Sequence, residues 1–370
     1  MNEIAESYLR LSLIPNVGAA TLRKLLRRFG SPVDALKATR ADLMGLERVG
    51  AKIADSFISG RDGVDIDSVK RRLQTFGADY VCLDDERYPR LLRNVYDAPV
   101  GLFVKGSADL NAPSVALVGC RNCSVYGRLV ARKFAAAFGR MGLTVVSGLA
   151  RGIDSAAHTG SLDAKAPTVA VLGCGLDIIY PPENVDLYRM IGESGAIITE
   201  YPFGTRADRQ TFPMRNRIIA GMTSATLLVE SDIRGGGMIT ARLACDFGRD
   251  VFAIPGRIDQ PTSAGCHAML RDGARLVTSP EELAEELGFA GQFRFDFQKP
   301  AASAGGDGAQ KLNEGEMKVY SALASGEAMS ADEIAESSGV AISGVLASAM
   351  MLELKKLVVK RSDGRWEKRL

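Results

Sequence analysis

The run Val115-Ala-Leu-Val-Gly-Cys-Arg121-Asn-Cys-Ser124-Val-Tyr-Gly127 sets the fold. Its first four residues are apolar without alternation, so a strand built from them is buried on both faces, and the chain breaks out of it at Gly119. The same grammar recurs at 143–146, 168–172, 196–199, 226–229, 251–254 and 275–277, with a helical stretch between successive runs. Strand–helix alternation of this kind predicts an α/β fold with a doubly wound, mostly parallel sheet.

That Rossmann-like core occupies about 114–280, and β-rich runs at 80–83 and 102–104 extend it to 67–290. Residues 1–66 read as short helices with a repeat at a spacing of 32: Leu11-Ser-Leu-Ile14-Pro-Asn-Val17-Gly18-Ala19 matches Leu43-Met-Gly-Leu46-Glu-Arg-Val49-Gly50-Ala51. The pattern fits tandem helix-hairpin-helix (SAM-like) units. These either grip a DNA phosphate through turn amides or serve as packing modules. Ten Lys+Arg against eight Asp+Glu in residues 1–65 supply no strong basic patch for the first role. A linker composition spans 291–312, and 313–370 reads as three helices and a hairpin, a winged-helix pattern with a capping box at Ser330-Ala-Asp-Glu333. The third of those helices, 342–354, contains no Lys or Arg, whereas seven of the domain's eight basic residues lie at 355–369. Base reading by that helix is disfavoured, and a wing on phosphates or a protein-binding role fits better.

A chain of 370 residues with 46 % apolar and 24 % charged residues has ordinary globular composition. A net charge of +2 excludes a polycation, so any nucleic-acid contact must come from local patches. No apolar run approaches the length of a membrane span, and the acidic start lacks the basic segment of a secretory signal, so a cytoplasmic protein is expected. The six scattered cysteines argue against a disulfide framework.

In open α/β sheets, ligands bind beyond the carboxyl ends of the strands. The strand exits here carry the loops 119–127, Ser147-Gly-Leu-Ala-Arg151-Gly-Ile-Asp154, 173–182, 200–217 and 230–237. No dinucleotide fingerprint is present, because Arg121 stands where a second glycine would be needed, and no phosphate loop occurs; no cofactor is expected. The stretch 205–217 instead gathers Arg206, Arg209, Arg215 and Arg217 against the single acid Asp208, with Phe212 among them. A basic groove with interleaved aromatics is how single strands are held. Four arginines at a ligand-binding edge point to phosphate contact. Asp154 and His158 lie four apart on one helix face, which suits an acid–base pair or a loop brace; bracing is the better reading with so few histidines. Cys120-x-x-Cys123 has metal spacing but no second pair, and packing is its better reading.

At Val118-Gly-Cys-Arg121, Ser147–Asp154, Phe212-Pro-Met-Arg215-Asn-Arg217-Ile-Ile-Ala-Gly221, Val251-Phe-Ala-Ile-Pro-Gly256 and Gly265-Cys-His-Ala-Met-Leu270, the chain resembles the DNA-processing protein A (DprA/Smf) family. The resemblance implies a protein that is not an enzyme. Such a protein binds single-stranded DNA without sequence specificity and loads RecA recombinase onto it in natural transformation and homologous recombination. It also implies a DNA site at Arg121, Phe212, Arg215, Asn216 and Arg217, in which the three arginines would hold successive phosphates with the turn amides of Gly119 to Ser124 assisting, Phe212 would stack on a base, and Asn216 would brace the loop and contact a base only secondarily. A homodimer through the end of the core is implied as well, with Leu270 and Leu276 as candidates. Two departures stand out: Cys120 replaces the usual serine, and Gly235-Gly236-Gly237 replaces a serine-containing turn. Neither removes an arginine. The alternative is a nucleotide-processing enzyme on a related core, similar to the lysine-decarboxylase-like phosphoribohydrolases, whose Pro-Gly-Gly-x-Gly-Thr-x-x-Glu motif is absent here.

Overall fold

The structure, a computed structural model, describes residues 1–289, 312–323, 328–355, 357–361 and 363–368. Each apolar run of the core forms a strand, displaced at its ends by a residue or two: β1 (Asp79–Cys82), β2 (Gly101–Gly106), β3 (Ser114–Val118), β4 (Thr144–Ser147), β5 (Thr168–Val171), β6 (Ala196–Thr199), β7 (Ala225–Leu228), β8 (Asp250–Ala253) and β9 (Arg275–Leu276). They make one nine-stranded sheet in the order β1-β2-β6-β5-β4-β3-β7-β8-β9. Strands β3 to β9 run parallel, and the leading β1–β2 hairpin joins antiparallel along β6.

Burial explains the unbroken apolar runs. In β3, Val115 and Leu117 enter the core on one face, with Phe134 and Phe138 of the Val125–Arg140 helix. Ala116 and Val118 enter the core on the other face, with Ile218 and Ile219 of the Thr211–Met222 helix. The chain leaves β3 in one direction, to β4, β5 and β6, then returns to β3's other side at β7. That reversal opens a crevice beyond the carboxyl ends of β3 and β7, the position where such sheets take ligands.

The 32-residue repeat has a counterpart in the backbone. Asn16 and Arg48, equivalent positions in its two copies, both adopt left-handed backbone at φ 60° and 62°. Gly18 and Gly50 then start the helices Ala19–Phe29 and Ala51–Arg61 without a side-chain cap. Although composition separates residues 1–66, their helices pack with the core in one compact unit. The Tyr8 hydroxyl donates to Asp84 (3.0 Å), Arg23 donates to the Arg93 carbonyl (2.9 Å), and Arg72 pairs with Asp177 (2.7 Å).

The expected linker lies outside the described residues apart from Leu312. Beyond it, the helices Glu314–Ala322, Ala331–Ser338 and Ile342–Leu354 pack with β10 (Ala328–Met329), β11 (Val358–Lys360) and β12 (Trp366–Lys368), ordered β10-β12-β11. Val319, Ile334, Val345, Ala349, Leu352 and Trp366 form their own core. The capping box at Ser330 and Glu333 is made in both directions. Among the described residues, no single helix is long and apolar enough to cross a membrane.

Candidate nucleic-acid interface

A cleft of about 620 Å³ opens at the reversal point. Its walls come from the loops after β3 and β7, from Ala150 and Asp154 after β4, from Tyr180 and Arg209, and from the start of the Thr211–Met222 helix. It therefore assembles segments that are more than 100 residues apart in the chain.

The rim joins a cation to aromatic rings. The Arg121 guanidinium lies over the Phe212 ring, 5.0 Å from its centroid, and Tyr180 packs on the same ring at 5.3 Å with a tilt of 35°. Arg121 and Arg209 are exposed, and Phe212 and Tyr180 are half-buried. Phe212 comes this close to the sheet because residue 173 has no side chain. A Cβ there would meet the ring at 2.9 Å.

Arg215 lies beneath this rim, 3 % exposed, and still lines the cleft. Its guanidinium donates to the carbonyls of Gly148 (2.8 Å) and Val171 and to Asn216 Oδ1 (3.2 Å). Asn216 passes the brace on, its amide donating to the Gly236 carbonyl (3.4 Å). Asn216 thus ties the Thr211–Met222 helix to the Gly236–Asp246 helix. The Gly236–Asp246 helix begins at the cleft with three glycines and no side-chain cap. A helix start favours negative charge, and a Cβ at Gly236 would meet open space.

The loop after β4 is fixed internally. Asp154 accepts from the amides of Gly148 (3.1 Å) and Ala150 (3.4 Å), and His158 Nε2 accepts from the Leu149 amide (3.3 Å). That acceptor role puts the proton on Nδ1, which faces Thr168 Oγ1 at 2.8 Å, and Thr168 in turn donates to the Val145 carbonyl. Burial pushes the His158 imidazole down to about 3 and raises the Asp154 carboxyl, despite Arg215 nearby. A neutral, fully enclosed imidazole with both nitrogens engaged is a brace, not a proton shuttle. Gly152 locks this loop to the neighbouring one. Its φ of 77° suits glycine, and a Cβ would strike the carbonyls of Cys120 and Arg121 at 2.4 Å.

Arg217 departs from the sequence reading. It is 4 % exposed, absent from the cleft lining, and held between Asp97 (3.3 Å) and Glu200 (2.6 Å). The charge counted toward a phosphate groove is neutralised inside the protein. Gly119 lines the cleft, while Ser124, at the end of its loop, does not. Cys120 packs 3.9 Å from a Glu230 carboxylate oxygen, and burial with that carboxylate raises its thiol far above the ordinary value. Among the described residues no group of three metal-ligating side chains occurs. Leu276 is 58 % exposed on the edge strand β9, whereas Leu270 is half-buried against the core. Sequence reasoning passed over Tyr180, although an aromatic in a strand-exit loop on the ligand edge was signal enough.

The family model for DNA recombination-mediator protein A matches residues 79–288. Protein Smf of Synechocystis is 32 % identical, over 98 % of this chain and 98 % of its own. The putative DNA processing protein DprA of Mycobacterium tuberculosis is 36 % identical, over 98 % of this chain and 94 % of its own. Among solved structures, DprA of Streptococcus pneumoniae superposes with a TM-score of 0.68 at 35 % identity, covering 80 % of this chain and all of that one. The DNA processing protein A of Helicobacter pylori, whose structure describes a single-stranded DNA binding mode, gives 0.52 at 26 % identity, covering 57 % of this chain and 95 % of that one. With the strand-exit motifs brought together on one cleft, these matches make the chain a member of the DNA recombination-mediator protein A (DprA/Smf) family.

Proposed function

We propose that the cleft beyond β3 and β7 holds single-stranded DNA without sequence preference, and that the protein delivers the strand to RecA recombinase. The observation that carries the DNA reading is the Arg121–Phe212–Tyr180 cluster at the rim, a cation lying on an aromatic surface beside an uncapped helix start. A phosphate that takes the Arg121 guanidinium draws it off the Phe212 ring and uncovers a face for a base. Base stacking of this kind is worth about 1–3 kcal/mol and tolerates any sequence, and a duplex hides the base faces it needs. Arg209 joins Arg121 in contacting phosphates. Arg215 acts from the floor, where its carbonyl partners fix its position, and Arg217 takes no part. The H. pylori relative's single-strand binding mode and the family's mediator role support the reading. Dimerisation through the β9 edge, with Leu276 at the contact, belongs to the same proposal.

Fluorescence anisotropy with labelled oligo-dT and a matching duplex, over a salt series, tests it. Three phosphates neutralised by Arg121, Arg209 and Arg215 give a log–log salt slope near about −2 on the single strand. Phe212→Ala and Tyr180→Ala weaken binding without flattening that slope. Binding that prefers duplex, or that ignores all of these residues, refutes the cleft as the DNA site.

A further inference from the structure

A second cation lies over an aromatic ring at the exit of β6. Phe203 is half-buried there, with Phe76 and Phe103 steeply tilted against it at centroid distances of 5.6 and 5.8 Å. The Arg72 guanidinium covers this ring 4.9 Å from its centroid, much as Arg121 covers Phe212 at 5.0 Å. Arg72 comes from the Ile66–Phe76 helix, where the spacing i, i+3, i+4, i+7 puts Ser68, Arg71, Arg72 and Thr75 on one face. With Asp177 and Phe203 of the core, that face lines a cavity of about 250 Å³.

This cavity adjoins the cleft. The loop after β5 runs beneath both rings: a Cβ at Gly173 would meet the Phe212 ring at 2.9 Å, and a Cβ at Gly175 would meet the Pro202 carbonyl at 2.6 Å. Two residues span at most about 7 Å, so the backbone supports of the two rings are neighbours. Between Phe203 and Phe212 the chain carries Arg206 and Arg209, both exposed, and Arg71 is exposed on the helix opposite. None of these three arginines has an ion-pair partner among the described residues. We infer that the single strand held in the cleft continues over the Phe203 ring, with Arg71 and Arg206 taking the next phosphates. The binding surface then runs from the core onto the Ile66–Phe76 helix. This inference rests on the reading of the cleft as the single-strand site. Asp177, the one acid lining the cavity among the described residues, tunes the extension. It pairs with Arg72 (2.7 Å) and accepts from the Gly204 amide (2.8 Å), so it holds the guanidinium on the ring until a phosphate takes it over. The uncovered face then receives a base. An acidic protein segment would use the arginines alone and have no need of the ring.

The test is fluorescence anisotropy of the full chain with labelled oligo-dT of about 5 and about 15 nucleotides, which bracket the usual single-strand site sizes. On the longer oligo, Arg71→Ala/Arg206→Ala makes the log–log salt slope shallower by about 1.4, two phosphates' share. Phe203→Leu, which keeps an apolar side chain against Phe76 and Phe103, weakens binding at least about fivefold and leaves the slope unchanged. Asp177→Asn keeps an acceptor for the Gly204 amide, releases Arg72 and tightens binding about threefold, a gain that no loss of folding can imitate. These changes leave the short oligo unaffected, whereas Arg121→Ala/Phe212→Ala weakens both lengths. Melting curves establish that each variant is folded at the assay temperature. If Arg121→Ala/Phe212→Ala leaves the short oligo bound as before, the cleft reading falls and the extension falls with it. If it weakens both lengths while Arg71→Ala/Arg206→Ala and Phe203→Leu bind the long oligo like the parent, the extension alone is overturned. A loss seen with the arginine changes but not with Phe203→Leu also overturns it, because charge without stacking is then the whole contact.

Discussion

Arg121 and Arg217 look alike in the sequence, and the structure separates them into an exposed cation on the cleft rim and a buried cation between two acids. Arg217→Met would remove the guanidinium between Asp97 and Glu200, whose side chains are only 18 % and 16 % exposed. Burial already pushes the Glu200 carboxyl up, so losing its cation leaves two poorly hydrated acids facing each other. Breaking a buried pair costs about 3–5 kcal/mol, and in a unit of this size that lowers Tm by about 10 °C. Arg121→Met loses only an exposed cation–π contact of about 0.5–1 kcal/mol, a shift of a few degrees at most. On single-stranded oligo-dT the order reverses. Arg121→Met makes the salt slope shallower by about 0.7, one phosphate's share, while Arg217→Met leaves the slope unchanged at a temperature where it is folded. Adding Asp97→Asn and Glu200→Gln to Arg217→Met recovers most of the lost stability. Scanning calorimetry and anisotropy over a salt series measure both quantities on the same proteins. If Arg217→Met melts like the parent and flattens the slope, the assignment of these two arginines is wrong.

Acid should expose the second brace. His158 is pushed from 6.5 to about 3 in the folded protein. Because the folded value lies below the unfolded one, its stabilisation is complete above 6.5 and is lost as pH falls toward 3. By pH 5 the loss is about 2 kcal/mol. Urea unfolding at pH 7 and pH 5 should show the parent losing about 2 kcal/mol more than His158→Gln between the two; equal losses would contradict the enclosed, neutral imidazole. Thiol chemistry gives a further check. Cys245 is exposed, whereas burial and Glu230 hold the Cys120 thiol up, so a disulfide reagent at neutral pH should label one site rapidly, and Cys245→Ser should abolish that phase. Rapid labelling at Cys120 would count against its packing role.

The sheet was legible because a strand buried on both faces leaves an apolar run that nothing else in the chain imitates, as at Val115 to Val118. The ends shifted by a residue because ladder pairing, not hydropathy, decides them. Arg121 and Phe212 were legible as a cation and an aromatic on the strand-exit edge, where the structure brings them together. Arg217 was misread for a physical reason. A local charge count sees only Asp208, while the acids that neutralise Arg217 arrive from Asp97, 120 positions earlier, and from Glu200 on the adjoining strand exit. For Asp154 and His158 the shared helix face was visible in the spacing, and enclosure by Leu149 and Thr168 decided their role.

The two margins of the nine-stranded sheet are unequal, and this limits how copies can add to it. At one margin, β1 is packed by the Glu3–Ser12 helix and flanked by the Asp79–Arg87 ion pair, devices that discourage another strand from joining. The other margin, β9, presents Arg275 and Leu276 exposed among the described residues. A sheet open on both sides can be extended indefinitely, head to tail, into a fibre. One open on a single side can add only a partner that offers the same edge in return, and the pair is left with its two guarded β1 edges. Growth through the β9 edge alone would therefore end at two, and a longer array would need a surface other than that edge.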